Sequence, residues 1–91
     1  MSTKEKAVVT VIGKDMVGIL SKVSTACAER KANVLDVTQS VMDGYFCMIM
    51  MIDITEATGK TSELEKDIQA KVQDMAVHVM HEDIFNSMHR I

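Results

Sequence analysis

The chain has 91 residues, 47% of them apolar and 25% charged, with a net charge of −3 and no proline. That length holds one domain and leaves no room for a second, and the apolar share is enough for a core rather than a disordered segment. Acidic and basic residues are interspersed, unlike the clustered Lys and Arg with which nucleic-acid binders displace counterions from phosphates.

In chain order, the segment from Lys6 to Ile12 is β-branched and apolar at both alternating sets of positions, which predicts an interior strand. A tight connection follows from Gly13 to Gly18. Ile19, Leu20, Val23, Ala26 and Cys27 then recur at helical spacing to about Lys31, with Arg30 and Lys31 in the last turn complementing the helix dipole. Asn33 is the expected left-handed exit from that helix. From Val34 to Met42 the pattern alternates, with Leu35, Val37 and Val41 on one side and Asp36, Thr38 and Ser40 on the other, which predicts an edge strand wet on one face.

Asp43-Gly44 is a two-residue type I′ hairpin signal, since both residue types tolerate positive φ. The return strand from Tyr45 to Ile54 is apolar on both faces and therefore central. Polar residues from Thr55 to Lys60 predict a loop, and Ser62 with Glu65 predicts a capping box opening a second helix striped by Leu64, Ile68 and Val72. A last strand runs from Met75 to Met80, and Ile84, Phe85, Met88 and Ile91 mark a terminal helix over residues 82–91.

The expected fold is α+β: a ferredoxin-like βαββαβ sandwich with both helices on one sheet face, a core over residues 6–81 and an added C-terminal helix. The uncovered face of the central strands still carries Tyr45 or Phe46, methionines and valines, so self-association into a closed dimer is expected. The longest mainly apolar run, Tyr45 to Ile52, is too short for a membrane span. Without a signal-like N-terminus, and with Cys27 and Cys47 expected to be reduced and buried, the expected location is the cytoplasm.

The turn Gly13-Lys14-Asp15-Met16-Val17-Gly18 carries the most chemistry. A helix N-terminus attracts a carboxylate, Gly18 allows close approach, and Asp15 is suited to accept hydrogen bonds from an α-ammonium group. The plainer reading is that Asp15 caps the helix and Gly18 eases packing. His78, His81 and His89 are spaced as surface histidines rather than as convergent metal ligands. Ser21, Ser24 and Thr25 have no paired His and carboxylate, neither cysteine has an electropositive neighbourhood, and Gly13-Lys14 lacks the spacing of a phosphate loop. The nine methionines read as core filler. Nothing implies an enzyme or a cofactor.

The stretch VTVIGKDMVGIL resembles the opening of an ACT domain, where a strand enters a D-R-P-G-L-L-like turn and a helix. Asp15, Gly18 and the Ile19-Leu20 pair match, while Met16 and Val17 replace the Arg-Pro pair and its rigidity. NVLDVTQSVMDGYFCMIMMID and the ending IFNSMHRI are similar to the hairpin and extra helix of small stand-alone bacterial ACT proteins, themselves similar to the regulatory domains of the glycine-cleavage repressor. The resemblance implies a homodimeric, non-catalytic sensor that binds a small amino acid at Asp15, Met16, Val17 and Gly18, with Asn33, Val34 and Leu35 opposite. One alternative is a ligand-free dimerisation module that docks on a partner enzyme or regulator. A remote one is an RNA-recognition-like module, prompted by Asp43-Gly44-Tyr45-Phe46 but lacking a basic residue before the glycine and further stacking aromatics.

Overall fold

The computed structural model describes residues 4–14 and 17–88. Seven elements follow one another: β1 Lys6–Gly13, α1 Ile19–Glu29, β2 Asn33–Met42, β3 Tyr45–Asp53, α2 Thr61–Lys71, β4 Ala76–His81 and α3 Glu82–Met88. The strands form one antiparallel sheet in the order β2-β3-β1-β4. The two strands apolar on both faces are thus the two interior ones, as their sequences require. This is the expected ferredoxin-like βαββαβ architecture with an added C-terminal helix.

Alternation along β1 and β3 sorts side chains between the faces. Ala7, Val9 and Val11 meet Ile52, Met50 and Met48 across the register and join Ile19, Val23, Ala26, Cys27, Leu64 and Ile68 in a core beneath α1 and α2. Each fully buried side chain of this size contributes about 1.5–3 kcal/mol. Val8 points the other way, yet is only 1% exposed. α3 packs against β1 and β4 and closes that part of the second face.

The α1 exit differs from expectation. The helix ends at Glu29, Arg30 is its C-cap, and the left-handed residue is Lys31 (φ 62), not Asn33, which already begins β2. Ala32 N–H donates to Cys27 O (2.9 Å) and Lys31 N–H to Ala28 O (3.0 Å), the paired bonds of a Schellman motif. Burial of Ala32 against Cys27 fixes where the chain leaves, and this apolar contact overrides the preference of asparagine for left-handed backbone.

α2 also starts two residues earlier than its capping signal implies. Lys60 is the N-cap, and its N–H donates to Glu63 Oε1 (2.9 Å). Glu65 is free of capping duty. Its Oε1 accepts the Val79 N–H (2.8 Å), plugging the outer edge of β4. At the hairpin, Asp43 (φ 52) and Gly44 (φ 83) both take positive φ between the paired Met42 and Tyr45, the expected type I′ turn. Phe46 lies under the helices while Tyr45 is on the open face.

β2 has no counterpart to these closures. All its residues are exposed except the half-buried Val37, so the strand is wet on both faces and not on one. Leu35 is an extra residue: the register steps from Val34↔Ile52 to Asp36↔Met51 around it. The expected row of Leu35, Val37 and Val41 is therefore broken by a β-bulge.

Candidate functional site

The predicted site residues fall into two groups, and within this chain the described ones do not come together. Gly18 stands at the start of α1, with Val17 exposed before it; Asp15 and Met16 lie outside the described residues. Asn33, Val34 and Leu35 stand at the start of β2. The register places these groups at opposite ends of the sheet. Gly13, which leads into the first turn, pairs with Phe46 and through it with Val41, whereas Asn33 pairs with Asp53 and through it with Lys6.

Gly18 adopts φ 69, and its carbonyl accepts the Lys22 N–H at 3.0 Å. A Cβ built there would meet nothing within 4 Å among the described residues. The glycine is required by its backbone conformation rather than by close approach of a neighbour. Close approach is instead the business of Gly13, where a Cβ would stand 2.3 Å from Met75 Sδ and 3.3 Å from Met75 Cα. Lys14 follows, its Nζ 5.6 Å from the Tyr45 ring centroid, a cation–π contact that holds the entry of the turn against the β2–β3 hairpin.

Beside the first turn lies a cleft of about 240 Å³ lined by Ile19, Lys22, Lys71, Gln73, Asp74 and Met75, among others. It opens on the α2 flank of α1, away from β2. Its cations and carboxylate are brought together by the α2–β4 connection, far along the chain from α1, and no motif in the sequence announces them. A smaller cavity of about 40 Å³ lies at the other end, lined by Arg30, Ile54, Ala57 and the Thr58–Thr61 stretch. That is room for water rather than for an amino acid. Arg30 there binds the Asp67 carboxylate and donates to Thr58 O (3.2 Å), joining the end of α1 to the start of α2. The Arg30 hydrogen bond holds the Asp67 carboxyl below its ordinary value.

Groups with catalytic potential are otherwise engaged. Ser24 Oγ donates to Leu20 O (2.7 Å) and Thr25 Oγ1 to Ser21 O (2.8 Å), within the turns of α1. Burial pushes the Cys27 thiol up to about 11, away from thiolate chemistry. Cys47, expected to be buried, is half-buried on the open face; both cysteines are free. Among the described residues no three His, Cys, Asp or Glu side chains converge as metal ligands, and no helix is long and apolar enough to cross a membrane. Tyr45 and Phe46 project to opposite faces, so they offer RNA bases no common stacking platform.

The sequence profile of the ACT domain matches residues 5–82. A UPF0237 protein of Listeria monocytogenes (serotype 4b) is 47% identical over 88 residues, spanning 94% of this chain and 99% of the relative. Among solved structures, an ACT domain protein from Streptococcus pneumoniae superposes with a TM-score of 0.77 at 30% identity, covering 96% of this chain and all of that one. A glycine cleavage system transcriptional repressor shares the fold, with a TM-score of 0.67 at 20% identity over 88% of this chain and 47% of its own. From the first turn to the last strand, the chain belongs to the ACT-domain family, whose members are regulatory ligand-binding domains.

Proposed function

We propose that this chain is a non-catalytic sensor that acts as a homodimer, binding a small amino acid where the first turn of one subunit meets the start of β2 of the other. One observation carries the reading: Gly13, which leads into the first turn, and Asn33–Leu35 sit at opposite ends of the sheet, and the strand bearing the second group is the bare edge. Antiparallel pairing of two β2 edges about a two-fold axis reverses one sheet relative to the other. The start of β2 in one subunit then lies beside the end of β2, and hence beside the first-turn end, of its partner. The β4 edge is unsuited to the same pairing, because Glu65 already takes its Val79 N–H.

In that pocket the start of α1 receives the ligand carboxylate and Asp15 the ammonium group. The cleft bearing Lys22, Lys71 and Asp74 supports a second location within one subunit, since it offers both signs of charge to a zwitterion.

Thermal-shift measurements with the common amino acids at millimolar concentration test the reading. A ligand held only by the native state raises the melting temperature by mass action. One or a few small amino acids are expected to do so, and Asp15→Ala should abolish the shift without dissolving the dimer. Loss of the shift in Asp74→Asn but not in Asp15→Ala would move the site into the cleft. Flat responses throughout would leave a ligand-free docking domain.

A further inference from the structure

β4 passes into α3 without a loop: the strand ends at His81 and the helix begins at Glu82. The His81 ring is the only side chain at this joint that reaches both ways among the described contacts. Nε2 contacts the Glu5 carboxylate, in the lead-in to β1. Nδ1 faces two groups of Asp83, accepting its backbone N–H at 3.1 Å and standing 3.6 Å from its carboxylate Oδ2. With Nε2 protonated, the neutral ring thus donates to Glu5 and caps the first turn of α3.

A second proton can go only on Nδ1. It displaces the Asp83 N–H, and the ring turns to the Asp83 carboxylate. From this geometry we infer that His81 is a proton-operated clamp, which on acidification exchanges a neutral helix cap for a charged bridge from Glu5 to Asp83 and tightens α3 over the Val8 face of the sheet.

The exchange favours the clamp because a charge-assisted hydrogen bond is about twice as strong as a neutral one. A cation at a helix N-terminus is opposed by the dipole, and here Glu82 and Asp83 occupy the first turn to offset it. The charges facing the ring are Glu5 ahead of β1 and Glu82 and Asp83 on α3. Glu65 of α2 also reaches β4 but is engaged with the Val79 N–H. The Glu5 hydrogen bond, more than the nearby carboxylate charges, raises the His81 pKa above its ordinary 6.5. A group whose folded-state pKa is raised stabilises the folded arrangement fully below the unfolded value and loses that contribution as pH rises through the folded value. The charged bridge is therefore in place below about 6.5 and gives way to the weaker neutral cap above the raised pKa. Both carboxylate partners are exposed, Asp83 almost fully, so the effect is modest and weakens with salt.

NMR on the full chain tests this. His81 ring shifts give its titration, and carbon secondary shifts of residues 82–88 give the docked helix population between pH 5.5 and 8.5, bounds set by the ordinary histidine range of about 6.5 ± 1. The expected result is a His81 midpoint above 6.5, with the docked-to-undocked ratio falling roughly two- to five-fold as pH rises through it. His81→Gln should flatten that dependence. Asp83→Asn, which cannot take the charged bridge, should reduce it while the neutral cap persists. A midpoint at or below 6.5, a population that rises with pH, or an unchanged pH dependence in His81→Gln would overturn the clamp.

Discussion

The two edges of this sheet are built differently. At the β4 edge a glutamate from α2 occupies a strand N–H, α3 folds back over the adjoining face, and Val77 and Val79 are buried beneath the helices. At the β2 edge the described residues provide nothing comparable. Val41 is 60% exposed, Met42 66%, and even the positions on the helix side are largely bare. Sheet edges left with unpaired backbone groups and apolar side chains invite another strand, and proteins that must avoid this blunt them. This one blunts one edge and leaves the other open, with a bulge at Leu35 as its main irregularity. The contrast is what the proposed shared site rests on.

The largest expected effect contrasts two residues that face each other across the register, Met50 and Val37. Met50 is fully buried under the helices and Val37 lies at the open margin. Met50→Ala should cost about 2–5 kcal/mol, whereas Val37→Ala should cost about 1 kcal/mol. Urea unfolding reads both as shifts of midpoint at constant slope. Equal losses would mean that β2 is as well anchored as the interior strands.

Next come the glycines at either end of the first turn. Gly13→Ala pushes a methyl into Met75 and should cost about 1–3 kcal/mol, because the Met75 backbone must move as well as its flexible sulfur. Gly18→Ala meets no atom of the described residues and carries only the strain of left-handed backbone, about 1 kcal/mol. A larger loss at Gly18 would show that a neighbour occupies the space left open there. Smallest is the edge plug itself. Glu65→Ala leaves the Val79 N–H to water and should cost about 1 kcal/mol, with faster hydrogen exchange at that one amide. No change in Val79 exchange would remove the distinction between the edges.

Much of this was legible in the sequence, for identifiable reasons. β1 and β3 carry apolar residues on both alternating faces because both faces are covered in part, and Asp43-Gly44 specifies its turn through φ alone. Both signals are local. What eluded the sequence depends on distant partners. Lys31 takes the left-handed position because Ala32 packs on Cys27, and Glu65 leaves its capping role for an amide in β4. The bulge at Leu35 hides within an alternating pattern, since an extra residue leaves the composition of the strand unchanged. The candidate site was legible as two short stretches. That they stand at opposite ends of the sheet follows only from the register, and Lys22 and Asp74 enter only when α2 is packed.

The central claim is that the start of β2 in one subunit lies beside the first turn of another. It is tested most directly by placing a nitroxide at Asn33→Cys in a Cys47→Ser background and mixing that protein with isotope-labelled, spin-free subunits. Pairing of β2 edges predicts paramagnetic broadening of the amides of Gly18 and Met42 in the labelled partner. Broadening centred on Asn33 itself, or none at any residue, would contradict it.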